Sequence, residues 1–312
     1  MNPPRPNPAS LGSHYAPIVN VPHVQAADWP NRAAGRFASL VRTDRADGCR
    51  VALLGMPDDT GVRLNGGRSG AAGGPGAFRD ALARVGAARP DGFEWPAVVD
   101  AGDVLIVRDN LDESHRRVTE AARALIDAGL LPLGVGGGHD LTFALVSAVA
   151  ERRPGLAGIS FDPHLDVREQ PGSGMPMRAL IERCGVRRLD LFGYSPLVNS
   201  AEHTRWFVEH GGRVRARSEL RSVLADGDTP LFVTFDLDVI DMTHAPGVSA
   251  MNPAGWSAAE AAEAVREVGR CPRVVCFDIM ELNPSADEGG RTARLAAWLA
   301  LEFLRGLAER EP

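Results

Sequence analysis

Short apolar runs that alternate with amphipathic stretches most constrain how this chain can fold. From Arg50 onward, seven apolar runs are predicted as strands: 51–54, 98–100, 131–135, 156–162, 188–192, 231–236 and 274–278. Amphipathic stretches are predicted as helices at about 77–87, 112–129, 141–153, 177–184, 200–210, 217–225, 257–269 and 290–309. Because buried strands joined by helices form a mainly parallel sheet covered on both faces, the pattern predicts a three-layer α/β/α fold.

The length of 312 residues allows one large α/β domain or two small ones. Residues 1–45 contain seven prolines and no sustained periodicity, which is typical of an irregular or partly disordered arm. In the sequence after this arm we find no internal repeat and no linker to a second domain. We therefore expect residues 46–312 to form a single domain.

Composition excludes several classes of function. All 34 basic residues are arginine, so lysine Schiff bases and P-loop lysines are ruled out. The net charge of −6 predicts no general attraction to nucleic acid. The four cysteines form no CxxC pair, and we interpret them as reduced thiols. No signal peptide and no apolar run of membrane-spanning length is evident, so we expect a cytoplasmic protein.

Six residues of metal-ligating type follow three of the predicted strands: His139, Asp162, His164, Asp166, Asp236 and Asp238. Parallel sheets form their sites beyond the carboxyl ends of strands, and clustered carboxylates need a positive partner. Two imidazoles and four carboxylates suit Mn²⁺ better than a thiolate-rich zinc site. Six ligands exceed the needs of one ion with an open position, so we predict two Mn²⁺ ions that share an activated water.

Each segment also has a simpler interpretation. A single Asp-x-Asp is more often a turn, a cap or a simple cation site, and the glycines 136–138 before His139 are typical of a tight loop. We expect these glycines to let the backbone pass close to the metals. Three such segments, each at a strand end, favour the metal site.

The sequence resembles the ureohydrolases, the family of arginase, agmatinase and formimidoylglutamase. Three signature segments carry the resemblance, GGGHD from Gly136, FDPHLD from Phe161 and FDLDVID from Phe235. It extends over about residues 48–309 and implies an arginase-like fold. The segments GVRLNGGR from Gly61, APGVSA from Ala245 and DIMELNP from Asp278 look most like the formimidoylglutamase branch.

The resemblance implies a role for each ligand. One Mn²⁺ would be held by His139, Asp162, Asp166 and Asp236, and the other by Asp162, His164, Asp236 and Asp238. Asp162 and Asp236 would then bridge the ions. Glu281, in the ELNP segment, would accept hydrogen bonds from the cationic C–N group of the substrate. The family also commonly forms trimers or hexamers, so a homo-oligomer is expected.

Several positions depart from the family pattern. Pro163 stands where alanine is usual, and Met251 stands where proline is usual. Ser173 replaces the histidine that arginases and agmatinases are thought to use as a proton shuttle. Formimidoylglutamases tend to have a serine there too, although Met175 and Met177 also differ from their pattern. These departures bear on the substrate rather than on the reaction.

With serine at the shuttle position, we predict that Asp166 relays the proton to the leaving amine. His244 is an outside candidate for this relay and for contact with the substrate. Its alternative interpretation is a solvated loop histidine.

Arg168, two residues after Asp166, favours an anionic substrate, because arginase-like sequences tend to have a neutral asparagine there. The alternative for Arg168 is a surface salt bridge with Glu169 or a neighbour. Arg63, Arg68 and Arg178 are weaker anion-binding candidates.

Arg168 and the family resemblance together predict that the chain hydrolyses N-formimidoyl-L-glutamate to L-glutamate and formamide, a reaction of histidine degradation. There are two alternatives: a ureohydrolase acting on a guanidino compound, and a metal-binding homologue without activity.

Overall fold

The structure, a computed structural model, describes residues 20–30, 32–88 and 94–310. Its nine strands are β1 (Val24–Gln25), β2 (Val51–Met56), β3 (Val98–Val104), β4 (Leu131–Gly136), β5 (Ala157–Phe161), β6 (Leu189–Phe192), β7 (Gly212–Arg215), β8 (Leu231–Asp236) and β9 (Val274–Met280). They form one sheet in the order β1-β3-β2-β4-β9-β8-β5-β6-β7. Every neighbouring pair is parallel except β1 with β3. The predicted mainly parallel sheet is confirmed.

The nine α-helices of the described chain are α1 (Thr60–Leu64), α2 (Gly74–Leu82), α3 (Leu111–Asp127), α4 (Leu141–Arg152), α5 (Pro176–Cys184), α6 (Ala201–Glu209), α7 (Leu220–Ala225), α8 (Ala258–Arg270) and α9 (Arg291–Ala308). Apolar side chains of α2, α8 and α9 join one core cluster, and those of α3, α4 and α5 join another. Both clusters include strand residues, so helices cover the two faces of the sheet and make three layers.

All seven predicted strands are present, and two further strands, β1 and β7, lie at the edges of the sheet. The first has only two residues, and the second, Gly-Arg-Val-Arg, has no apolar run that periodicity could detect. The short helix α1 was also not predicted.

Part of the predicted N-terminal arm packs on the domain. β1 pairs with β3, and the side chains of Phe37 and Val41 are buried in the core. Residues 1–19 of the arm lie outside the described residues.

Among the described residues, no helix combines the length and apolar character that a membrane crossing requires. The four cysteines are free, and Cys271 and Cys276 are buried.

Candidate metal centre

The central strands of the sheet bring the predicted ligands together. β4, β9, β8 and β5 are consecutive neighbours although they are far apart in sequence. His139 follows β4, Asp236 ends β8, and Asp162 follows β5, so their side chains leave the same edge of the sheet. Sheet topology therefore assembles three distant segments into one cluster.

Four of the predicted ligands surround one point. Nδ1 of His139 lies 3.1 Å from Asp162 Oδ2, 2.9 Å from Asp166 Oδ2 and 3.0 Å from Asp236 Oδ2. Their ligand atoms all lie within 4.8 Å of one another. This is the set that the resemblance assigned to the first ion.

The remaining ligands lie beside this cluster. Nδ1 of His164 lies 3.2 Å from Asp162 Oδ1 and 3.7 Å from Asp238 Oδ2. Asp162 therefore presents one carboxylate oxygen to His139 and the other to His164. This arrangement suits a carboxylate that bridges two ions.

The chemistry of the buried atoms fits divalent cations. Asp162 Oδ2, Asp238 Oδ1 and His139 Nδ1 are buried and have no hydrogen-bond partner in the described chain. Burial and the charge of Asp236 raise the pKa of Asp238 well above its usual range. Burial and the charge of Asp162 raise the pKa of Asp236 to about 6. Such crowded carboxylates are costly to ionise without positive charge among them, which metal ions would supply.

Glu281 is held against the loop that carries His139. Its Oε1 accepts a hydrogen bond from the His139 backbone N–H at 2.9 Å, and its own N–H donates to Gly137 O at 2.9 Å. Its buried Oε2 has no partner in the described chain. The backbone of Glu281 is left-handed, with φ +67°, as is that of Asp166, with φ +50°. Residues other than glycine rarely adopt this backbone conformation, and where they do, they often belong to a functional site.

The glycine loop before His139 is required by its packing against protein atoms. A Cβ on Gly137 would lie 1.8 Å from the carbonyl oxygen of Asp58, and one on Gly136 would lie 2.4 Å from the sulfur of Met280. We expected these glycines to let the backbone pass close to the metals. At these two positions, however, the atoms that leave no room for a side chain belong to the protein. The loop needs glycine because two neighbouring segments pass against it.

A cavity of about 340 Å³ opens above the ligands. Arg168, Ser173 and Glu281 line it together with five of the six predicted ligands, whereas Asp162 is fully buried and is not part of the lining. His244 is exposed and is not part of the lining.

Arg168 forms no salt bridge within the described residues. Its Nη1 donates to Asn65 Oδ1 at 2.6 Å, whereas Glu169 pairs with Arg178. The predicted alternative, a surface salt bridge with Glu169, is not formed.

The other candidate arginines have protein partners. Arg63 pairs with Asp109 at 2.7 Å, Arg178 pairs with Glu169 at 2.9 Å, and Arg68 donates to the backbone oxygen of Val248. None of the three lines the cavity.

Sequence reasoning missed residues that support or line the site. Thr234 lies behind His139, and Asn199 and His203 line the cavity from the segment after β6. Thr234 precedes Asp236 by two residues in β8, so the same period-two pattern could have indicated it. The loop after β6 could have been found because it also follows the carboxyl end of a strand.

Comparison with known proteins agrees with this geometry. Residues 49–305 match the sequence profile of the arginase family. This chain belongs to the arginase family. Among curated members, the formimidoylglutamase of Aromatoleum aromaticum is 36% identical, covering 83% of this chain and 84% of that protein. The formimidoylglutamase of Geobacillus kaustophilus is 32% identical, covering 84% and 85%.

Solved structures of the arginase family share the fold. The formimidoylglutamase of Bacillus subtilis superposes with a TM-score of 0.81 at 26% identity, covering 92% of this chain and 96% of that chain. The formiminoglutamase of Trypanosoma cruzi, crystallised with Mn²⁺, gives 0.80 at 31% identity, covering 88% and 99%. The predicted arginase-like fold and the resemblance to formimidoylglutamases are confirmed.

Proposed function

We propose that this chain is a manganese-dependent hydrolase that converts N-formimidoyl-L-glutamate and water to L-glutamate and formamide. The observation that carries the proposal is Arg168, an arginine without an acidic partner in the described chain that lines a cavity above clustered acids. Such a cation suits a substrate carboxylate. The formimidoylglutamases among its relatives support the same substrate.

Two Mn²⁺ ions would be held by the ligand cluster. His139, Asp162, Asp166 and Asp236 would hold one, and Asp162, His164, Asp236 and Asp238 the other. When bound, the ions would lower the pKa of water and supply a nucleophile at neutral pH. The Mn²⁺ of the Trypanosoma cruzi structure supports this choice of metal.

Residues of the chain would then orient the substrate and move one proton. The unpartnered Oε2 of Glu281 faces the cationic formimino group, and Arg168 binds a carboxylate. Water oxygen bonds to the formimino carbon, and the bond from that carbon to the glutamate nitrogen breaks. Asp166 passes a proton to this nitrogen as it leaves, and Ser173 provides a hydroxyl beside it.

A substrate panel tests the proposal. The purified protein is incubated with Mn²⁺ and N-formimidoyl-L-glutamate, L-arginine, agmatine or guanidinobutanoate, and formamide and urea are measured. We expect formamide from the first compound and no urea from the others. Urea release without formamide would refute the substrate and favour a guanidino-compound hydrolase.

The Asp236→Ala variant tests the metal site in the same assay. Because Asp236 would bridge both ions, we expect most Mn²⁺ and all activity to be lost. Full Mn²⁺ occupancy by elemental analysis would contradict the bridging role. Cytoplasmic location and a homo-oligomeric trimer or hexamer remain predictions.

A further inference from the structure

The cavity extends across the sheet between two separate walls. Asn65 lies on one wall, in the segment after β2, and Arg168 reaches that wall by donating to Asn65 Oδ1 at 2.6 Å. Asn199 and His203 lie on the other wall, which follows β6. In the sheet, β2 and β6 are separated by β4, β9, β8 and β5, which carry the ligands and Glu281. The metal cluster therefore lies between the two walls.

His203 presents a half-buried imidazole to this cavity. Its backbone N–H donates to Ser200 Oγ at 3.0 Å, which fixes it in the first turn of α6. Within the described ranges, no protein group hydrogen-bonds to its ring, so an imidazole N–H can donate to a ligand. The amino-terminal end of α6 also favours negative charge nearby.

The backbone around His203 is held in place by Asn199. Its Nδ2 donates to the carbonyl oxygens of Pro163 and Ser195, both at 2.8 Å, and its Oδ1 accepts from the Leu165 N–H at 3.0 Å. With its amide occupied in this way, Asn199 is poorly placed to bind substrate. On this wall, His203 is the side chain left to donate.

We propose that His203 and Arg168 each bind one of the two substrate carboxylates, from opposite walls of the cavity. This inference rests on the proposed function, because it requires a dicarboxylate. Apart from the ligands His139 and His164, His203 and Arg168 are the two basic side chains in the described lining. A substrate with two carboxylates above clustered acids needs such partners. His203 would thereby determine specificity, and a substrate with one carboxylate would leave one of the two unused.

A crossover experiment tests the pairing. The Arg168→Ala and His203→Ala variants are assayed on N-formimidoyl-L-glutamate, on N-formimidoyl-4-aminobutanoate, which lacks the α-carboxylate, and on N-formimidoyl-L-2-aminobutanoate, which lacks the γ-carboxylate. On the full substrate we expect each variant to lose about tenfold or more in kcat/KM, mostly as a higher KM. On one analogue, kcat/KM of the His203→Ala variant should equal that of the wild type. On the other analogue, kcat/KM of the Arg168→Ala variant should equal that of the wild type.

Matched variants separate recognition from folding. His210, just after α6, is exposed, and its Nδ1 contacts Trp206 O, so His210→Ala should behave as the wild type. His203→Gln keeps an N–H donor and should restore part of the loss. Mn²⁺ content and melting temperature should equal those of the wild type in all four variants.

Three results would overturn the pairing: an unchanged His203→Ala enzyme, both variants losing their effect on the same analogue, or a fall in kcat at constant KM. The last would indicate proton transfer by His203. If the wild type releases no formamide, the proposed function fails and the inference with it. If the wild type does so but the crossover is absent, only the inference fails.

Discussion

The Thr234 hydroxyl lies 3.0 Å from Nε2 of His139 and donates to Asp278 Oδ1 at 2.5 Å. Because its proton is directed to Asp278, the hydroxyl oxygen accepts from the imidazole Nε2–H. The Nδ1 atom of His139 is then directed at Asp162, Asp166 and Asp236. A threonine and an aspartate behind the site thus hold the ring so that Nδ1, the atom that a metal ion would use, faces the three carboxylates.

Removing this hydroxyl should weaken the metal site. Thr234→Val keeps the shape of the side chain but deletes the acceptor for His139, and we expect Mn²⁺ affinity to fall about 10- to 100-fold. Isothermal titration calorimetry measures the change. Ser160→Ala is the control, because Ser160 is paired in register with Thr234 but its buried hydroxyl has no partner in the described chain. Equal affinity of the Thr234 variant and the wild type would contradict the role.

Mn²⁺ binding should become tighter as the pH rises. Burial lowers the pKa of His164, but Asp162 raises it more, to about 9, so the metal-free protein holds a proton there at neutral pH. A metal ligand must be deprotonated, so this proton is released on binding. Between pH 6.5 and 9 the affinity should increase by about tenfold per pH unit for one released proton. Calorimetry in buffers of different ionisation enthalpy measures the release, and pH-independent binding would refute it.

The charge of Glu281 should matter for catalysis more than for metal binding. Glu281→Gln keeps an oxygen that can accept from the His139 N–H but removes the charge that faces the formimino cation. We expect kcat/KM to fall about 100-fold with unchanged Mn²⁺ content. Glu169→Gln, an exposed acid paired with Arg178, is the control and should retain activity. Loss of metal from the Glu281 variant would instead indicate a structural role.

The Asn199 amide should stabilise the loop that carries His164. It joins Pro163 and Leu165, the neighbours of His164, to the segment after β6. Asn199→Ala should lower Mn²⁺ affinity about tenfold because the loop is no longer held in its binding conformation. Asn252→Ala, in a loop outside the cavity lining, serves as the comparison. If both variants bind Mn²⁺ like the wild type, the loop does not depend on this amide.

The sequence by itself determined most strands and helices and located the six predicted ligands at strand ends. These features depend on local order: apolar runs specify buried strands, and side chains at period two at their ends share a face. The ligand and Glu281 segments could therefore be recognised before their spatial arrangement was known.

Tertiary structure alone decided which neighbours these residues have. Asp278 lies beside Thr234 because β9 pairs with β8, and Arg168 meets Asn65 across a separation of 103 residues. The same folding exposes His244 and places His203 in the cavity. Local periodicity carries no information about such pairings, because they are fixed by the strand order and by the burial of both faces of the sheet.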